Sequence, residues 1–126
     1  MYNGHKAIVT ISTIEGYHGG EVGVKGLDIN TFSEPLQEIE ENKFADSSIS
    51  WLVTLGKSVY KTEWGAPVGG EDVFVLQADY TIYDVVKGID NWKRNILTHI
   101  EYLKNYFKQE TVRVTFINNV ETLILK

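Results

Sequence analysis

A Gly-Gly-Glu triplet occurs twice, as Gly19-Gly20-Glu21 and Gly69-Gly70-Glu71, each joining a strand-like run to another that leads into a helix. Paired glycines reach backbone torsions that other residues avoid, so both positions read as reversals of the chain. The doubled unit fixes the order in which elements can follow one another. A length of 126 residues then fits one α+β domain spanning 1–126, with roughly two-thirds of the unfolded surface buried on folding.

Between and around these loops, periodicity sets the elements. Ala7, Val9 and Ile11 alternate with Ile8, Thr10 and Ser12, predicting a strand over about Lys6 to Ile14. Val22 and Val24 share one strand face, with Leu27 and Ile29 on the other unless Gly26 marks a bulge, which predicts a hairpin partner. Thr31-Phe32-Ser33-Glu34-Pro35 combines capping hydroxyls with a first-turn proline and predicts a helix to about Asn42. Leu36 and Ile39 face inward in this reading, and Glu34, Glu38, Glu40 and Glu41 face water. Ile49, Trp51, Val53 and Leu55 predict a strand bent near Gly56-Lys57, followed by an extended Val59 to Trp64. Phe74, Leu76, Ala78, Tyr80 and Ile82 give the cleanest alternation in the chain.

From Asp90, read as an N-cap, Trp92, Ile96, Ile100, Leu103 and Phe107 recur at steps of three or four and predict a helix to about Gln109. Thr111 to Ile117 and Val120 to Leu125 read as a terminal hairpin around Asn118-Asn119, a pair that tolerates positive φ. The expected fold is α+β, a single antiparallel or mixed sheet of about six to seven strands with two helices on one face. Its order is β-β-α-β-β-β-α-β-β, with a ferredoxin-like variant as one form of it. Ile8-Val9-Thr10-Ile11 resembles Leu52-Val53-Thr54-Leu55, and both precede a Gly-Gly-Glu loop, so an internal duplication is one reading.

Composition removes several classes of function. The absence of cysteine excludes disulfides, thiolate nucleophiles and cysteine-ligated metals. A net charge of -5 gives no general attraction to phosphate backbones, so nucleic acid is not an expected partner. Ala7 to Ile11 is too short an apolar run for a signal peptide or a membrane span. A cytoplasmic protein without membrane association is expected.

The first loop places His18 three residues from Glu21, a pair able to serve as acid and base or as two metal ligands once further groups join. The second sets Glu63, Glu71 and Asp72 around Trp64. Crowded carboxylates raise a pKa or hold a hard cation, though the spacing fits no calcium loop. If both loops share one end of the sheet, His18, Glu21, Glu63 and Glu71 converge as a catalytic set. His99 reads as a boundary histidine at the edge of the helical stripe. Gly56-Lys57-Ser58 lacks the upstream glycine and following helix of a phosphate loop. Neither Gly-Gly loop opens directly into a helix as a dinucleotide site requires, and no Gly-x-Ser-x-Gly elbow occurs. No cofactor and no resident metal are expected.

Ser58-Val59-Tyr60-Lys61-Thr62-Glu63-Trp64, with Glu71 to Ile82, resembles the central hairpin of the CutA family over roughly a fifth of the chain. That resemblance implies a trimeric ferredoxin-like protein linked to divalent metals. The Tyr-to-Trp spacing, the outer hairpins and the lack of the family's cysteine depart from it, and no residue role is carried over.

Aromatic side chains exceed the needs of one small core, and aromatics are enriched at interface centres. The leading expectation is therefore a binding domain that is not an enzyme, a homo-oligomer with Trp64, Tyr102 and Tyr106 as interface candidates and a small molecule or protein as further partner. The alternative is a small enzyme or metabolite sensor with a pocket between the two loops. An acidic inhibitor of a basic protein is a second alternative, resting on net charge alone.

Overall fold

The computed structural model describes residues 2–13, 26–123 and 125. Its elements are β1 (Tyr2–Ser12), α1 (Ile29–Glu38), β2 (Leu52–Ser58), β3 (Glu71–Asp79), α2 (Ile82–Val85), α3 (Ile89–Tyr106) and β4 (Arg113–Thr122). The four strands form one antiparallel sheet in the order β2-β3-β1-β4. Each long helix lies between two strands that are not sheet neighbours, the split β-α-β arrangement.

The core follows from register. Ala7, Val9 and Ile11 stand opposite Ala78, Leu76 and Phe74, all of them buried. Period-2 alternation puts them on one face. Phe32 and Leu36 of α1 and Trp92, Ile96, Ile100 and Leu103 of α3 join the same cluster. Phe32 stacks on Phe74 at 4.2 Å and packs against Phe107 at 4.6 Å. Each such side chain contributes about 1.5–3 kcal/mol on leaving water.

Four strands and three α-helices among the described residues replace the expected six or seven strands and two helices. Residues Val22 and Val24 lie outside the described residues, but Leu27 and Asp28 are irregular and Ile29 already opens α1. The cap is Asp28, which accepts from Thr31 N at 2.7 Å, and Pro35 falls inside the helix. Val59 to Lys61 is irregular, and Thr62–Trp64 coils into a 3-10 turn instead of extending. Gly56 lies within β2, which shows no break there.

The expected terminal hairpin is a single strand. Lys6 pairs with Ile117 and Gly4 with Val120, so β4 advances three residues where β1 advances two. Asn119 has φ +59°, and the positive-φ tolerance read as a reversal is used for a β-bulge. Asn118 Oδ1 meets His5 Nδ1 at 3.0 Å. At α3, Gly88 is the N-cap, with Asp90 in the first turn.

Glu40 is a second correction. It lies in a π-helical turn, Ile39–Lys43, that continues α1, and it is only 6% exposed although expected in water. Counting fours from Phe32 through Leu36 reaches Glu40, so helical spacing itself carries it inward. His99, expected at a boundary, is 0% exposed. Its Nδ1 lies 2.7 Å from Glu40 Oε2, and Phe44 stacks on the ring at 3.7 Å. Glu40 also accepts from Ile49 N at 2.6 Å and from Trp51 Nε1 at 3.3 Å.

Urea unfolding of variants tests each of these contacts. Glu40→Ala strips an acceptor from three donors and should cost about 3 kcal/mol or more; Glu40→Gln, which keeps a carbonyl oxygen there, should cost less. Asn119→Val should lose about 1–2 kcal/mol by forcing a branched residue into the left-handed region, with Asn119→Gly near neutral. The Thr31 amide holds the Asp28 carboxyl below the usual carboxylate range. Its contribution is present above the unfolded value and lost as pH falls through the lowered folded value. Asp28→Asn should therefore flatten the acid-side loss of stability.

Candidate functional site

The second Gly-Gly-Glu loop closes the β2–β3 hairpin, and its glycines are required by geometry. Gly69 and Gly70 have φ of +89° and +96°. A Cβ on Gly70 would also sit 3.0 Å from Ser58 O and from Val59 Cγ2. Glu71 then opens β3 directly opposite Ser58.

From that position the Glu71 carboxylate ties three parts of the sheet end together. Oε1 accepts from Ser12 Oγ at 2.7 Å, at the end of β1. Oε2 accepts from Tyr60 OH at 3.1 Å, just beyond β2. Two hydroxyl donors, one per oxygen, hold the group in place and leave each oxygen a further lone pair. Such a carboxylate can meet a cationic or hydrogen-bonding ligand without first being ordered.

The described flanks of the first loop arrive at the same place. Thr13 N donates to Asp72 O at 3.3 Å, and Leu27 N donates to Thr13 O at 2.8 Å. Thr13 and Leu27 on one side and Glu71 and Asp72 on the other thus occupy one end of the sheet. His18 and Glu21 lie outside the described residues.

The remaining candidates are spread out. Glu63, in the 3-10 turn, is exposed and pairs with Lys61 Nζ at 3.7 Å. Lys61 Nζ also lies 5.1 Å from the centroid of the Trp64 ring, which is 65% exposed. Asp72 pairs with Lys57 at 2.7 Å across the β2–β3 register. On α3, Tyr102 lies under Lys43 Nζ at 5.2 Å and stacks with Tyr106 at 6.4 Å; Tyr106 is 48% exposed. Among the described residues no three His, Asp or Glu side chains gather as a metal-binding group. No helix among them is long and apolar enough to cross a membrane.

The sequence pattern places Ser12 in a strand and Tyr60 in an extended run, and neither is marked there as a group that holds Glu71. The available signal was register. Once β1 and β2 are placed on either side of β3, Ser12 and Tyr60 both fall at its first residues.

No protein-family model matches the chain, and no curated protein matches it. The likeness to the CutA hairpin is therefore a likeness of one β-hairpin and assigns no family. Among solved structures, a phage SAM lyase in complex with S-methyl-5'-thioadenosine is similar to this chain. Its TM-score is 0.61 at 13% identity, covering 94% of this chain and 83% of the other. At that identity the likeness is one of fold, and it extends over nearly the whole of the described four-stranded arrangement in place of the larger sheet expected.

Proposed function

We propose that this chain is a small enzyme or sensor domain that takes a metabolite at the Glu71 end of the sheet. The observation that carries the reading is the carboxylate held by Ser12 and Tyr60 where the described flanks of both Gly-Gly-Glu loops arrive. S-adenosylmethionine is the first substrate class to test. Its sulfonium is complementary to an ordered carboxylate, and a protein similar in fold is a SAM lyase that has been seen with S-methyl-5'-thioadenosine.

In a homo-oligomeric second reading, subunits associate through the β2 side of the molecule. It is favoured by Leu52, Leu55, Val59, Trp64 and Val68, all exposed on or just after an edge strand. Apolar side chains beside a sheet edge are a common mark of association. Trp64 belongs to this surface; Tyr102 and Tyr106 lie on α3.

The enzyme reading is tested by incubating the purified protein with S-adenosylmethionine and following S-methyl-5'-thioadenosine by chromatography, with thermal melts in each nucleoside. Turnover or a ligand-dependent rise in melting temperature is expected. Glu71→Gln and Tyr60→Phe should each weaken it by about tenfold or more, the equivalent of roughly 1.4 kcal/mol. Absence of product together with unchanged melting at millimolar nucleoside would refute it. Light scattering that gives a monomer at every micromolar concentration would remove the oligomer.

A further inference from the structure

A second concavity lies at the other end of the sheet, eight residues along β3 from Glu71 and so roughly 25 Å away along the strand. β2 begins at Leu52, opposite Gln77, whereas β3 continues to Asp79. Antiparallel pairing alternates the neighbour that each residue's backbone faces. Tyr80 N donates to His5 O at 2.8 Å, toward β1, while Val75 O accepts from Thr54 Oγ1 at 3.4 Å, toward β2. Asp79, in phase with Val75, therefore presents its N–H and C=O to the β2 side beyond the point where β2 begins. Among the described residues they have no backbone partner there.

The chain's divergence over 48–51 opens a cleft of about 560 Å³, whose lining includes Trp51, Tyr83, Trp92, Gln77, Asp79 and Asp84. Its wall is fixed from behind. Asn95 Nδ2 donates to Ser47 O at 3.0 Å, and buried Glu40 takes both Ile49 N and Trp51 Nε1. Trp92 is 4% exposed and packs edge-on to Tyr80 at 5.4 Å. Asp84 spends Oδ2 on Thr81 N and Oγ1, both at 2.8 Å. Asp79 Oδ1 has Lys6 Nζ at 3.6 Å, a half-exposed pair whose attraction water weakens. Among the described residues no lysine, arginine or histidine lines the cleft.

We infer that this cleft is a binding site for a small organic cation, an amine or quaternary ammonium on a compact apolar body. The Trp51 indole and the Tyr83 phenol in the lining are ring types that attract such a head group through their quadrupoles. Asp79 and Asp84 add the opposite charge, and the open backbone of Asp79 offers a donor and an acceptor to a hydroxyl or amide on the ligand. The inference is independent of the reading of the Glu71 end.

The full chain, labelled with nitrogen-15, is titrated with choline and with benzylamine, and in parallel with their neutral counterparts 3,3-dimethylbutan-1-ol and benzyl alcohol. The three tryptophans give three indole signals. Those of Trp51 and Trp92 should move saturably with at least one cation while Trp64 stays still. The matching neutral compound should bind at least tenfold more weakly. The double variant Asp79→Asn, Asp84→Asn, which leaves an amide oxygen to cap Thr81, should also lose at least tenfold, and Glu101→Gln, at an exposed carboxylate of α3, should leave cation binding unchanged. Equal binding of the neutral compound, movement of Trp64 instead, or no shift at about 50 mM of either cation would each overturn the inference. The comparison of charged with neutral ligands holds on the unaltered protein, whatever the variants do to folding.

Discussion

A carboxylate beneath a sheet costs free energy unless its oxygens find donors, and Glu40 meets that condition with three. His99 comes from the middle of α3, Ile49 and Trp51 from the segment entering β2, and Glu40 itself from the turn continuing α1. One group therefore fixes the end of the first crossover, the entry to the edge strand and the angle of the long helix. The π-helical turn has a physical reason in this arrangement. Phe44 N reaches back to Ile39 O at 3.1 Å, and the wider turn brings Phe44 over the His99 ring. The aliphatic and aromatic core supplies the bulk of the stabilisation, but it is less selective about register than a node with fixed donor directions.

Periodicity made part of this legible in the sequence. The alternation through Phe74, Leu76 and Ala78 and the three-four spacing through Trp92, Ile96, Ile100 and Leu103 both mark faces that are buried, because a single partner surface imposes a single period. It was less informative where a residue has two uses. Asn118-Asn119 permits positive φ, and the same permission serves a turn or a bulge; pairing with β1 along its whole length decided for the bulge. Asp28 and Thr31 both carry capping oxygens, and the helix took the earlier one. The charge of Glu40 points to water while its helical spacing points inward, and the spacing prevails because donors meet the carboxylate inside.

For the candidate site, the loop glycines and Glu71 could be read from the sequence, and the partners of Glu71 could not. Ser12 and Tyr60 are 59 and 11 residues from Glu71, and only strand order brings such separations together. The same strand order separates the Glu71 end from the cleft beside Asp79. The sheet thus carries two concentrations of polar chemistry at opposite ends, each bounded by an end of β2.

Gly26 approaches Thr13 so closely that an added Cβ would lie 2.1 Å from Thr13 Oγ1, and the Leu27–Thr13 bond closes the same contact. Position 26 therefore accepts no side chain unless the end of β1 shifts. The approach to α1 is set at this point by the absence of a methyl group, not by an added contact.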